Sequence, residues 1–267
     1  MRRRIEHWRG RLEKPLMGLG LWPLGGHRLP DFLGIGAQKS GTTWLHERLA
    51  RNPAIYFPGK KEQHYFDDNF HRPLARYSAR FAPAGDRTCG EVTPAYAVLD
   101  EARVGFIAAV VPRLRAIFLM RDPVERAWSS MTMVRLEQER RDPGSVTVGE
   151  WIEFARSPWV LDRSRYLVTI DRWARHLGRE RLGLGFLEEI RERPAELLER
   201  VESFLGVPPI DRERLDPGFR EPVLQQPGRP MPDAVRDELV RALADQLRGL
   251  ADRFGGPALA WKARWLG

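Results

Sequence analysis

Cysteine is almost missing from this chain of 267 residues: Cys89 stands alone, which excludes an intrachain disulfide framework and an all-thiolate metal site. Lysine is scarce as well. Only five of the 44 basic residues are Lys, and three of those five (Lys39, Lys60, Lys61) fall close together, a pointer to a place that wants an ammonium point charge rather than a guanidinium fork. Long apolar runs are absent too. The stretch from Leu16 to Leu24 is interrupted by Gly18, Gly20 and Pro23, too short and broken to span a bilayer. No small-residue cleavage pattern follows it, so no signal peptide is expected, and a reducing, cytoplasmic setting is the default. The chain has no repeat of fixed period and no low-complexity tract, which argues against solenoids and propellers.

What is present is the composition of a globular protein, 42% hydrophobic and 30% charged, with a formal charge of +8. That charge admits acidic partners: nucleic acid, anionic lipid, a phosphorylated cofactor or an acidic glycan. Arg2, Arg3 and Arg4 open a basic leader over residues 1–30, which leaves peripheral contact with an anionic membrane open. Residues 31–267 are expected to form one domain.

Apolar strands alternate with helical periodicity. Phe32 to Ala37 reads as a strand, a short polar turn follows, and Thr42 to Arg51 reads as a helix. A second buried strand is expected at Ala116 to Met120, between a helix over Glu101 to Val110 and a long helix from Pro123 to about Glu139. A third, with two Gly, is expected at Leu182 to Leu187. A capping box opens a helix at Thr147 to Glu150, and helices follow at Tyr166 to Leu177, Pro194 to Leu205 and Asp233 to Phe254. Asp216 to Pro232, with five Pro and two Gly, is expected to be a loop. The pattern predicts an α/β fold with a mainly parallel sheet flanked by helices, with ligands at the carboxyl ends of its strands.

Two loops at such ends carry chemistry. The first is Gly36-Ala37-Gln38-Lys39-Ser40-Gly41-Thr42-Thr43-Trp44, a glycine-containing turn into a helix N-terminus, where backbone N–H groups and the helix dipole converge on an anion. The ATP-binding pattern G-x-x-x-x-G-K-[ST] is incomplete here, because Thr42 stands in the lysine position and the lysine lies inside the loop at Lys39. The second loop, Arg121 to Ser129, puts an Arg at a strand end and a Ser about two helical turns on, a pair that suits a second phosphate.

Residues 38 to 44 resemble the 5′-phosphosulfate loop, and Arg121 to Ser129 the 3′-phosphate motif, of sulfotransferases that use 3′-phosphoadenosine 5′-phosphosulfate (PAPS). Three further segments resemble the branch with bacterial and heparan-sulfate-type enzymes: Lys61 to Asp67 (KEQHYFD), Gly90 to Tyr96 (GEVTPAY) and Val201 to Val207 (VESFLGV). The loop Pro227-Gly228-Arg229 is similar to the family element that closes on the 3′-phosphate. The resemblance implies a P-loop-type fold. It also implies transfer of a sulfuryl group from PAPS to an acceptor hydroxyl, less readily an amine, with release of 3′-phosphoadenosine 5′-phosphate (PAP) and no metal. It assigns Lys39, Ser40, Gly41, Thr42, Thr43, Trp44, Arg121, Ser129, Gly228 and Arg229 to the nucleotide. Tyr166 lacks the Gly that often precedes its counterpart and is not assigned.

In-line sulfuryl transfer builds negative charge on the leaving oxygen, which Lys39 is placed to meet, and the acceptor must lose a proton to a base. The resemblance puts that base at Glu62, with Lys61 or His64 beside it. Glu62 and His64 are two residues apart in a stretch expected to be extended, where they would share one face. His64 is a second catalytic candidate or a hydrogen-bond partner of Asp67. Glu91 either orients substrate or ties down the core. Two rival functions remain, a P-loop kinase or NTPase and a non-enzymatic module that binds an anionic polymer. The displaced lysine argues against the first. Dispersed arginines argue against the second and against nucleic acid as partner. The acceptor, whether a small molecule, a lipid or a glycan, and the oligomeric state are not written in the sequence.

Overall fold

The computed structural model describes residues 26–211 and 229–267. The leader up to residue 25 and most of the Pro-rich loop, including Gly228, lie outside the described residues. Among the described residues, five parallel strands make one sheet in the order β2-β3-β1-β4-β5. They are β1 (Phe32–Gly36), β2 (Ile55–Tyr56), β3 (Thr88–Val92), β4 (Arg115–Met120) and β5 (Leu182–Phe186). β1 is central, with β3 on one side and β4 on the other, so the chain runs outward in both directions from it. The carboxyl ends of β1 and β4 therefore flank a switch point, the place where open α/β sheets hold ligands.

The period-two pattern of β4 divides the core between the two faces of the sheet. Ala116, Phe118 and Met120 join one apolar cluster with residues of the helices Glu101–Val110, Pro123–Thr132, Tyr166–Leu177 and Asp233–Phe254. Ile117 and Leu119 join the other, with Trp44, Leu45 and Leu49 of the helix Thr42–Leu49 and Leu197, Leu198, Val201 and Leu205 of the helix Pro194–Leu205. Leu239, Leu243, Leu247 and Leu250 line the buried stripe of Asp233–Phe254, each contributing about 1.5–3 kcal/mol by leaving water.

The glycines that weaken the signal of β5 have a packing reason. A Cβ on Gly183 would meet the Phe204 ring at 3.0 Å, and one on Gly185 would meet Leu197 at 3.0 Å, so their absence seats the helix Pro194–Leu205 on the strand. Other differences from expectation are local. The helix from Pro123 is regular to Thr132 and continues as a π-helical segment, Met133–Gln138. β2, β3 and the helix Gly256–Leu266 had no clear periodic signal. Trp151 and Trp173 are core residues, Trp159 is half-buried against Phe154, and Trp128 is both core and cleft wall. Cys89 is fully buried in β3, and burial pushes its thiol up to about 12. Among the described residues, no helix is long and apolar enough to cross a membrane.

Candidate active site

A cleft of about 2490 Å³ opens over the carboxyl edge of the sheet. Its floor is the turn after β1. The Ala37 amide donates to the Leu119 carbonyl at 2.7 Å, which ties the turn to β4, and Lys39 and Gly41 take left-handed φ values of 67° and 90°. Gly41 caps the helix Thr42–Leu49 without a side chain, so the first N–H groups of that helix have no side-chain cap and can face an anion. A Cβ on Gly41 would also collide with Ile190 Cδ1, so this position has two reasons for glycine. Lys39, Gly41, Thr42, Thr43 and Trp44 line the cleft. Ser40 does not: it is fully buried beneath the turn.

The second wall follows β4. Asp122 caps the helix Pro123–Thr132 by accepting from the amides of Val124 (2.9 Å) and Glu125 (3.2 Å). Arg121 donates to the Lys39 carbonyl at 3.3 Å and to Glu125 at 3.1 Å, which joins the two turns. Its own carbonyl accepts from the Tyr166 hydroxyl at 2.9 Å, so the fully buried Tyr166 supports this turn from behind. Arg121 and Ser129 line the cleft together, as their spacing predicts. Behind them Arg126 is fully buried, its guanidinium donating to Ser164, Ser130 and the Val160 carbonyl, all neutral groups. Burial pushes it down to about 10, which leaves it cationic at neutral pH. The Trp128 indole donates to the Arg229 carbonyl at 2.8 Å, and Arg229 also lines the cleft.

The third wall carries the base candidates and departs from expectation. Glu62 and His64 are not in extended backbone: both are left-handed, with φ of 68° and 50°. Their side chains meet nonetheless, His64 Nε2 lying 3.2 Å from Glu62 Oε2 while His64 Nδ1 lies 2.7 Å from Asp67. Lys61 donates to the other Glu62 oxygen at 2.6 Å. Lys61 and Glu62 line the cleft, whereas His64 stands behind Glu62.

Two non-glycine residues at positive φ cost free energy that the surroundings must offset. Five consecutive amides do so, all anchored to the end of β3 and the turn after it. The Glu62 amide donates to the Val92 carbonyl (3.1 Å), and the Gln63 amide to Thr93 Oγ1 (3.0 Å) and Glu91 (3.2 Å). Next, the His64 amide donates to Thr93 Oγ1 (3.5 Å), and those of Tyr65 and Phe66 to the Tyr96 hydroxyl (2.9 and 3.3 Å). Glu91 is the hub. Almost fully buried, its carboxylate accepts from the hydroxyls of Thr93 (2.6 Å), Tyr77 (2.6 Å) and Tyr96 (2.9 Å). Burial raises its pKa, opposed by those hydrogen bonds. Of the two roles the sequence left open for Glu91, the structure shows the tying one. The sequence signal was a Glu, a Thr and a Tyr within six residues, but nothing in it marked the Glu as buried.

The sulfotransferase domain family matches residues 29–221. The chain is 34% identical over 193 residues to heparan sulfate glucosamine 3-O-sulfotransferase 3B1 of Mus musculus, covering 68% of this chain and 47% of that protein. It is 29% identical over 205 residues to bifunctional heparan sulfate N-deacetylase/N-sulfotransferase 4 of Mus musculus, covering 68% and 23%. The chain thus spans less than half the length of these curated relatives. A solved sulfotransferase from Alicyclobacillus acidocaldarius superposes with a TM-score of 0.68 at 23% identity, covering 88% of this chain and 99% of that one. A mouse sulfotransferase solved with PAP superposes at 0.53 and 16% identity, covering 95% and 94%. Both share the fold.

Proposed function

The chain belongs to the sulfotransferase domain family, and on that premise we propose that its cleft takes up PAPS and moves the sulfuryl group to an acceptor hydroxyl, releasing PAP. One observation carries this reading: the anion turn with Lys39, the Arg121–Ser129 pair and the Glu62 carboxylate all line one cleft. In this reading the helix N-terminus at Thr42, Thr43 and Trp44 receives the 5′-phosphosulfate and Arg121, Ser129 and Arg229 the 3′-phosphate. Gly228 would join them from outside the described residues. The acceptor hydroxyl gives its proton to Glu62 as its oxygen bonds to sulfur. The bond from sulfur to the bridging oxygen breaks, and the electron pair stays on the 5′-phosphate of PAP, where Lys39 meets the new charge. His64, backed by Asp67, holds the second Glu62 oxygen, so the structure supports Glu62 over His64 as the base. The step needs no metal.

The relatives' names point to glycan acceptors, and a hydroxyl-bearing glycan heads the acceptor classes to screen, before lipids and small molecules, with an amine as second choice. A cytoplasmic setting, with one buried free cysteine, is part of the proposal. Calorimetry with PAP, 5′-AMP and ATP-Mg tests the nucleotide: PAP is expected to bind, and ATP-Mg is not, since Thr42 replaces the lysine of an ATP loop. Incubating PAPS with an acceptor panel and reading the mass gain of one sulfate tests the transfer. Binding of ATP-Mg in preference to PAP would return the kinase reading.

A further inference from the structure

The helix Gly256–Leu266 lies beyond the residues that match the family, yet its last turn forms part of the cleft. Trp261 is buried and its indole donates to Glu188 at 2.8 Å, which fixes the helix against the helix Leu187–Glu192. One turn on, the Trp265 indole donates to Asp122 at 2.6 Å, so the C-terminal helix is locked to the turn that carries Arg121. The guanidinium of Arg264 lies 4.5 Å from the Trp265 ring centroid and donates to Glu125. Glu125 accepts from Arg121 on its other oxygen at 3.1 Å. One carboxylate therefore bridges two guanidinium groups, four residues before Ser129 and so on the same side of the helix.

Charge makes the arrangement informative. The segment Arg121 to Ser129 holds two arginines, Arg121 and Arg126, and two acids, Asp122 and Glu125, so it is neutral by itself. A phosphate dianion placed there would face Glu125, with Asp122 buried behind it. Arg264 adds a positive charge to this wall, its side chain is 55% exposed, and it lines the cleft with Arg121.

Resting on the PAPS reading above, we propose that Arg264 is a further guanidinium for the 3′-phosphate beside Arg121 and Arg229, engaged by Glu125 until nucleotide arrives and then transferred to it. A phosphate offers three acceptor oxygens and more charge than a carboxylate, and several arginine forks can share it. Trp265 stacks on the guanidinium and, through Asp122, fixes where it stands.

The test compares PAP with 5′-AMP, which lacks only the 3′-phosphate, by calorimetry on the full chain. Arg264→Met should weaken PAP binding by about tenfold or more while moving 5′-AMP less than twofold, and should make the salt dependence of PAP binding shallower; Arg264→Lys should restore part of the loss. Glu125→Gln should strengthen PAP binding severalfold, a gain that a merely structural role for this contact does not produce. Arg264→Met weakening PAP and 5′-AMP equally, or neither, overturns the proposal, as does a loss of PAP affinity in Glu125→Gln. Wild-type protein that binds PAP and 5′-AMP alike would instead remove the 3′-phosphate reading of the whole cleft. Full discrimination retained in Arg264→Met removes Arg264 alone.

Discussion

The two sides of the cleft are held by opposite means. The side proposed for the nucleotide, the turns after β1 and β4, is continuous with strands and helices: Ala37 is bonded to Leu119, Asp122 caps its own helix, and Gly41 opens another. The side proposed for the base is a loop hung from side chains, with Thr93, Tyr96 and the buried Glu91 accepting the amides of residues 63 to 66. Backbone ladders tolerate changes of side chain. A side-chain anchorage does not, so the position of Glu62 is expected to depend on residues that never reach the cleft.

Variants test this contrast directly. The largest effect belongs to Glu62→Gln, which keeps shape and removes the base: kcat should fall on the order of 10³-fold with PAP affinity unchanged. A dead His64→Asn beside an active Glu62→Gln would reverse the two roles. Lys39→Ala should lower kcat on the order of 10²-fold, as loss of a preorganised donor to developing charge does, while PAP affinity falls less; normal kcat would end its transition-state role. Tyr96→Phe then tests the anchorage itself. It should lower kcat by about tenfold, the cost of misplacing a catalytic group slightly, and cause no further loss when added to Glu62→Gln. Equal losses in both backgrounds would make Tyr96 a general stabiliser and dissolve the contrast.

The smallest effect concerns pH. Burial opposes the charge on His64, but the carboxylates of Asp67, Glu62 and Asp68 outweigh it, so its pKa stands above the ordinary value. A group raised on folding contributes stability in full below its unfolded pKa, near ~6.5, and that contribution is lost as pH rises through the folded value. The Tm difference between wild type and His64→Asn should therefore narrow from about pH 5.5 to about pH 8.5, by roughly 2 °C or less, given the one-third exposure of the side chain. A gap that widens with pH would mean that the neutral imidazole is the stabilising form.

How much of this was legible follows from the same contrast. Helices with an apolar stripe and a glycine directly after their last turn, such as Tyr166–Leu177, Pro194–Leu205 and Asp233–Phe254, could be read to their carboxyl ends. The turns after β1 and β4 were legible because glycine, lysine and arginine there sit at strand ends, where the cleft opens. β3 was not, because Cys89-Gly90-Glu91 places a glycine and an acid in the middle of a buried strand. The helix Gly256–Leu266 begins with Gly and Pro directly after another helix, where local rules predict a stop. The left-handed backbone of Glu62 and His64 is imposed by acceptors about thirty residues away, and no local pattern encodes it. Arg264 lies more than 130 residues from Glu125, so its place beside Arg121 appears only on folding.

The solitary thiol of Cys89 has a practical side. Sealed inside β3 and ionising only near 12, it offers alkylating reagents almost no thiolate at neutral pH. The native chain is therefore already a silent background for maleimide chemistry. A cysteine introduced at Gln138, an exposed position on the cleft rim, would be the single reactive site, and a dye attached there could follow ligand occupancy in real time without removing any native residue but that one.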